Sequence, residues 1–342
     1  MRRAMFVFRW GWGWVVVGVT CALAGRAGAQ GPPDYDFQWR TVGAAGNRAT
    51  NLSEVVNNPT LRLGAVPYEY RLTATEVTVS QWYEFVVAYA RVAPGGGSSA
   101  EEFTSPWIVP DGAGGYVYDP ATAQWPANVG WRYGARLCNW LSNNKGTTLS
   151  AFETGAYDVA TFTQNPDGSF NDQLAHSPGA MFWLPTRDEW TKGGYYDPNR
   201  YGQGQGGYWR YPISSGQPPI GGLPGTGAQT SADPGISSSL YPELPVGSYP
   251  AAQSPWGLLD VSGGAREWTE EAMSGSEYRI TRGSRIRSIA GGEDLIDGNS
   301  LPGSATFGLA GIRLASSVPA PGTATALLVV AACVVRHPRR RC

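Results

Sequence analysis

Cysteine, histidine and lysine are all scarce in this chain of 342 residues. Of four cysteines, Cys21, Cys333 and Cys342 stand in the end segments and only Cys138 lies in the body, so no intramolecular disulfide can form there. The histidines are His176 and His337. One histidine in the body excludes a facial triad with two histidines, and it excludes most zinc-hydrolase and Ser-His-Asp chemistry unless His176 is the base. His176 sits in the polar stretch Gln173–Pro178 and reads as a surface-loop histidine. The lysines are Lys145 and Lys192, and charged residues make up only 15%. Gly and Pro together make about a fifth of the chain without a fixed period, which excludes a coiled coil, a helical bundle and a collagen-like rod. What is abundant is aromatic: 14 Trp and 17 Tyr, enough to bury a core, so the composition describes a loop-rich globular protein rather than a disordered one.

The net charge of −1 hides an uneven distribution. Arg2, Arg3, Arg9 and Arg26 open the chain, and Arg336, Arg339, Arg340 and Arg341 close it, with no acid before Asp34 or after Asp297. The body between carries nine more acids than bases, which argues against a nucleic-acid partner. Residues 1–29 read as a signal peptide: a basic start, the apolar stretch Trp10–Leu23, and Ala27-Gly28-Ala29 as a small-residue cleavage site. Residues 30–64 read as an N-terminal extension, 65–316 as the folded domain, and 317–342 as an anchor or sorting tail. In that tail Pro319-Ala320-Pro321 precedes a short uncharged run, Thr323–Val335, and an arginine cluster that the positive-inside rule keeps cytoplasmic. The three parts together resemble the PEP-CTERM sorting signal, with Ala320 where that signal has Glu. The resemblance implies export, a cell-surface or secreted location, recognition by exosortase-type sorting machinery, and a membrane contact through the C-terminal segment.

Within the body, β-branched alternation from Tyr70 to Thr78 predicts a strand. Thr78 and Gln81 form a capping box for a helix whose apolar face is Trp82, Phe85, Val86 and Tyr89, ended by Pro94 and the glycines after it. A second helix is predicted over Val129–Ser142, with Trp131, Ala135, Cys138 and Leu141 on one face, which makes Cys138 a buried, inert thiol. Thr186 and Glu189 make another capping box. Residues 202–247 read as an irregular excursion. The G-x-G-x-x-G match at Gly202–Gly207 within it is loop glycine, lacking the strand-and-helix setting of a dinucleotide site. Glu270-Glu271 and Glu293-Asp294 read as solvated acids, and no pair is selected for glycosidase-like work.

Five of these segments occur in order in one family. Thr75–Phe85, Ala135–Ser142, the Leu184-Pro185-Thr186…Glu189-Trp190 block, Pro245–Pro250 with Pro255–Thr269, and Arg282-Gly283-Ser284 with Gly311–Ala315 resemble the formylglycine-generating enzyme family, or sulfatase-modifying factors. The resemblance spans about residues 65–316. It implies an α+β, C-type-lectin-like fold poor in regular secondary structure. Active members oxidise a sulfatase cysteine to formylglycine, with copper held between two cysteines after the Gly-Ser turn. The matching stretch here, Arg285–Ile289, has none, and no cysteine lies between Cys138 and Cys333, so no copper is expected. The resemblance also implies a structural Ca2+ on Asp260, Gly263, Ala265 and Glu267, hard oxygen donors suited to that ion. Two functions stay open: a non-catalytic module for an extracellular glycan or protein ligand, or a formylglycine-generating or related oxidase.

Overall fold

The computed structural model describes residues 31–93, 103–273, 278–298, 301–304 and 310–319. The stretch read as a signal peptide and all of the tail beyond residue 319 lie outside them. Among the described residues no helix is long and apolar enough to cross a membrane. The fold is α+β with short elements. The first sheet is antiparallel throughout, built from β1 (Trp39–Val42), β2 (Tyr70–Thr73), β11 (Ala315–Ser317) and β5 (Phe182–Trp183) in the order β1-β2-β11-β5. It therefore begins upstream of residue 65 and pairs both ends of the described body. A second antiparallel sheet contains β8 (Glu267–Ala272), β9 (Tyr278–Arg282) and β10 (Leu301–Ser304). Two small hairpins pair β3 (Ile108–Pro110) with β4 (Tyr116–Tyr118), and β6 (Tyr196–Asp197) with β7 (Gly207–Tyr208).

The helices start where their local chemistry directs. Helix α1 (Val79–Ala90) opens on the expected box: Gln81 N–H donates to Thr78 Oγ1 at 3.3 Å and Thr78 N–H to Gln81 Oε1 at 3.0 Å. Each bond satisfies a donor the first turn leaves free. Its buried face is Val79, Trp82, Phe85, Val86 and Tyr89. Phe85 sits within about 6 Å, ring centre to ring centre, of Trp82, Tyr89, Trp140 and Phe152, an aromatic core that joins α1 to α2 (Trp131–Ser142) and the short α3 (Ser150–Glu153). Helix α2 begins at Trp131, two residues later than its predicted start, because Gly130 is the cap; Cys138 is fully buried on it. Helix α4 (Arg187–Tyr195) carries the second capping box, on Thr186 and Glu189. It lies so close to the sheet that a Cβ on Gly193 would come within 2.4 Å of Leu72 Cδ1.

Two expectations change in extent. The strand predicted over 70–78 stops at Thr73, because Ala74–Val77 leave the sheet to bond Gln38, Leu259 and Ile312 one by one. The glycines of 202–207 do follow a strand: they close the β6–β7 hairpin, with Gly202 and Gly204 at positive φ, and no helix follows.

Candidate metal centre

The departure of Ala74–Val77 from the sheet places Glu76 inside the protein. Val77 N–H donates to Ile312 O at 2.7 Å, and Ala127 N–H to Val77 O at 2.9 Å, so the segment is pinned on both sides of a side chain that is 1% exposed. Glu76 Oε1 accepts Ala265 N–H at 3.0 Å, whereas Oε2, also buried, has no hydrogen-bond donor. Asp260 stands beside it, and Asp260 Oδ2 accepts Gly247 N–H at 2.5 Å. The two carboxylates line a cavity of about 10 Å³ with Pro126, Ser231, Tyr249 and Gly264. That is room for one water-sized occupant.

The loop between Asp260 and Ala265 bends tightly around this cavity. Gly264 has φ +62°, and a Cβ there would lie 2.3 Å from Glu76 Oε1, so both the backbone and the space require glycine. No described group donates to the carbonyl oxygen of Gly263 or Ala265.

Glu267, the last member of the set implied by the sequence, is turned to a different partner. Arg313 is fully buried and donates Nη2–H to Glu267 Oε1 at 2.7 Å and Nε–H to Oε2 at 3.0 Å. Trp190 Nε1–H adds a bond to Oε2 at 2.7 Å. Three of about four acceptor positions on that carboxylate are thereby used, leaving one on Oε1. Arg313 also donates to Thr73 O at 2.6 Å and Leu259 O at 2.8 Å. It ties the end of β2, the loop before Asp260 and the start of β8 to one side chain. The structure thus brings Asp260 together with Glu76, a residue that sequence reasoning missed, and gives Glu267 to Arg313. Glu76 lies 189 residues from Ala265, and no local pattern links them.

The electrostatics follow from this arrangement. Burial, then the charges of Asp260 and Glu267, push the Glu76 carboxyl well above the usual carboxylate range. Burial raises Asp260 to about 6, against the opposing pull of Gly247 N–H and Arg313. For Arg313, burial works to lower the pKa, and Glu267, then Glu76 and Asp260, outweigh it and hold the guanidinium above its ordinary range. Three carboxylates against one guanidinium leave a formal charge of −2 when all are ionised. A proton on Glu76 or Asp260 reduces that charge, and a divalent cation cancels it. Glu76 and Asp260 share the cavity while Glu267 stays with Arg313, and among the described residues no group of three or more His, Cys, Asp or Glu side chains is placed to hold a metal ion.

The expected solvated acids are elsewhere than predicted. Glu270 is 2% exposed and carries the one histidine of the body: His176 Nδ1 lies 3.0 Å from its Oε1, Tyr157 donates to the same oxygen at 2.8 Å, and His176 N–H does so at 2.5 Å. The imidazole stacks on Trp183 at 4.6 Å. His176 is therefore no ordinary surface-loop histidine. Glu267, Trp268, Thr269 and Glu270 are all buried on β8, so no alternation along the strand marks Glu270 as inward-facing. Glu271 fits the original reading, 45% exposed beside Arg187. Asp294 is fully buried, with its oxygens bonded by Ser262 and Ser284, and burial pushes it up to about 7; Glu293 pairs with Arg266.

Burial lowers the pKa of His176, but its bonds and attraction to Glu270 outweigh that and raise it above 6.5. The stabilising charge pair is fully present below the unfolded value of about 6.5 and is lost as pH rises through the higher folded value. In Glu270→Gln the bond and the main attraction opposing burial are lost and only the pull of Glu189 remains, so the His176 pKa is expected to fall. A titration of the imidazole carbon protons by NMR reads both values, and an unchanged pKa in the variant would contradict the pairing.

The stretch Arg282–Ile289 runs close by. Arg287 sits at φ +67° and donates Nη1–H to Tyr241 O at 2.7 Å, while Arg285 is exposed. Burial holds the Cys138 thiol well above its ordinary range, which keeps it protonated and inert.

Comparison with known proteins gives a consistent picture. The model of the sulfatase-modifying factor enzyme 1-like domain matches residues 44–316. Among solved structures, the chain is similar to CarF, at 19% identity and a TM-score of 0.46, with 82% of this chain and 98% of that one covered. It is similar to Treponema denticola variable protein 1 at 16% identity and a TM-score of 0.48, covering 82% and 95%. It is also similar to PvdO from Pseudomonas aeruginosa at 15% identity and a TM-score of 0.46, covering 82% and 94%. No curated protein matches the sequence.

Proposed function

We propose, from the premise that this chain belongs to the sulfatase-modifying factor family, that it is an exported, surface-associated binding module on that family's scaffold and not a copper oxidase. One observation carries this reading. The sequence has no cysteine between Cys138 and Cys333, and Arg285 and Arg287 occupy the segment where a pair of soft thiolates would be needed. Guanidinium groups keep their protons and cannot ligate copper. Cys138 offers no substitute, since it is fully buried on α2.

The ligand we propose is an extracellular glycan or protein, met by the aromatic and glycine-rich loops. Exposed Tyr201, Tyr241 and Ile220 on the 196–247 segment supply surface of that kind. The signal-like N-terminus and the PEP-CTERM-like tail support export and a C-terminal membrane attachment handled by sorting machinery of the exosortase type. Ca2+ has a structural role in this reading. Asp260, with Glu76 beside it, would hold it together with the carbonyls of Gly263 and Ala265, while Glu267 stays with Arg313. Bound there, it removes the repulsion between the carboxylates and fixes the 260–267 loop against the segment after β2.

Glycan-array and surface-protein binding by the purified chain tests the reading. Saturable binding to a defined glycan or protein, unaffected by copper, is expected. Failure to bind any of them would count against it.

A further inference from the structure

An open cavity of about 390 Å³ lies away from the metal centre, between Ser53-Glu54 and the loops around Arg200, Tyr201, Arg210 and Gln217. Its size is within the range of small-molecule sites. Its charge is unusual in a body with nine more acids than bases. Glu54 is already neutralised: Arg48 donates to both of its oxygens at 2.6 and 2.7 Å, and Asn51 N–H, Tyr208 N–H and Tyr201 OH complete its shell. Asp197, the nearest acid along the chain to Arg200, accepts from Trp209 Nε1–H and Asn199 N–H.

Two guanidiniums remain. Arg200 sits over Trp209, with its Cζ 3.6 Å from the ring centroid, and its buried Nε has no hydrogen-bond partner. Stacking of this kind holds a guanidinium in place without using its edge donors. Arg210 is exposed, and its backbone is fixed by Ile296 N–H donating to its carbonyl at 3.0 Å. Neither makes an ion pair with a described residue. Two unneutralised cations facing one cavity repel each other, and an anion removes that repulsion while accepting paired N–H bonds. The other lining groups are neutral and polar or aromatic: the Ser53 hydroxyl, the Gln217 amide, and the half-exposed Tyr201 ring. They suit a hydroxylated ring better than an apolar acid.

We infer that the Arg200–Arg210 cavity binds an acidic saccharide, its carboxylate or sulfate group held by the two guanidiniums. This rests on the reading of the chain as a binding module and names the ligand class for it.

The test is titration calorimetry of the full chain with an oligogalacturonate, a heparin-derived hexasaccharide, maltohexaose and inorganic sulfate. One or both acidic saccharides are expected to bind, to weaken with added salt, and to bind far better than maltohexaose or free sulfate; the two acidic arms separate carboxylate from sulfate. Arg210→Gln, at an exposed position, is expected to weaken binding roughly tenfold, and Arg200→Gln with Arg210→Gln to abolish it. Acidic saccharides bound equally well by the double variant would overturn the inference, as would binding of free sulfate alone or no acidic binding at all. A neutral glycan bound elsewhere would also overturn it and would leave the binding-module reading standing. Oxidase activity, by contrast, would defeat that reading without bearing on these titrations.

Discussion

Arg313→Ala is expected to destabilise the protein by about 3–5 kcal/mol, the cost of leaving one member of a buried ion pair without its partner. The effect is large because the side chain is fully buried and serves three segments. Its loss strands the Glu267 carboxylate, which is 1% exposed, and leaves Thr73 O and Leu259 O without those donors. It also removes the guanidinium whose charge offsets Glu76 and Asp260. Glu267→Gln should cost less, since the amide oxygen can still accept from Arg313. Glu267→Leu combined with Arg313→Met should recover part of the loss by removing both charges, but not all of it, because the two carbonyls stay unbonded. Urea unfolding of the set measures this. A loss under about 1 kcal/mol for Arg313→Ala, the range of an exposed pair, would show that the pair is not buried as described.

Chelation of calcium is expected to lower the melting temperature. Binding to the folded state alone contributes about 2.7 kcal/mol when the free ion exceeds its Kd a hundredfold. The pH dependence should differ in kind between the two states. In the metal-free protein Asp260 and Glu76 have pKa values raised above their unfolded ones, so the folded state holds more protons. Stability is then greatest below the unfolded carboxylate value of about 4 and falls as pH rises through the folded values, about 6 for Asp260. With calcium present the loss should be offset over the same range, because the ion binds the deprotonated groups. Glu76→Gln separates the two effects. Its amide oxygen can still accept from Ala265 N–H, and its NH2 can donate to Asp260. The variant should melt higher than the wild type in chelator and respond little to calcium. Identical wild-type melts in calcium and in chelator would remove the metal centre from the account.

What was legible in the sequence was local. Thr78 with Gln81, and Thr186 with Glu189, are three residues apart, so both helix starts could be read directly, and the buried face of α2 followed from its spacing. The family motifs located the acidic turn at Asp260–Glu267. What could not be read was which carboxylate faces which. Glu76 meets Ala265 across 189 residues, Arg313 meets Glu267 across 46, and His176 meets Glu270 across 94. Those pairings are set by how β2, β8 and β11 pack, and a charged residue in a polar stretch looks solvated until that packing is known. Asp294 is the same case: a four-residue window shows an acid beside glycines, while the fold puts the Ser262 hydroxyl and the Ser284 N–H against it. The partly neutralised cavity at Arg200 and Arg210 was hidden for the same reason, because Glu54 is nearly 150 residues away along the chain.

We propose that the scaffold has been kept without the copper chemistry. This is tested most directly by incubating the purified chain with a sulfatase-derived cysteine peptide, Cu(I) and oxygen, and measuring formylglycine by mass spectrometry. The account predicts no aldehyde above a no-protein control and no thiolate-bound copper on the protein. Aldehyde formed with turnover, and dependent on this chain, would contradict it.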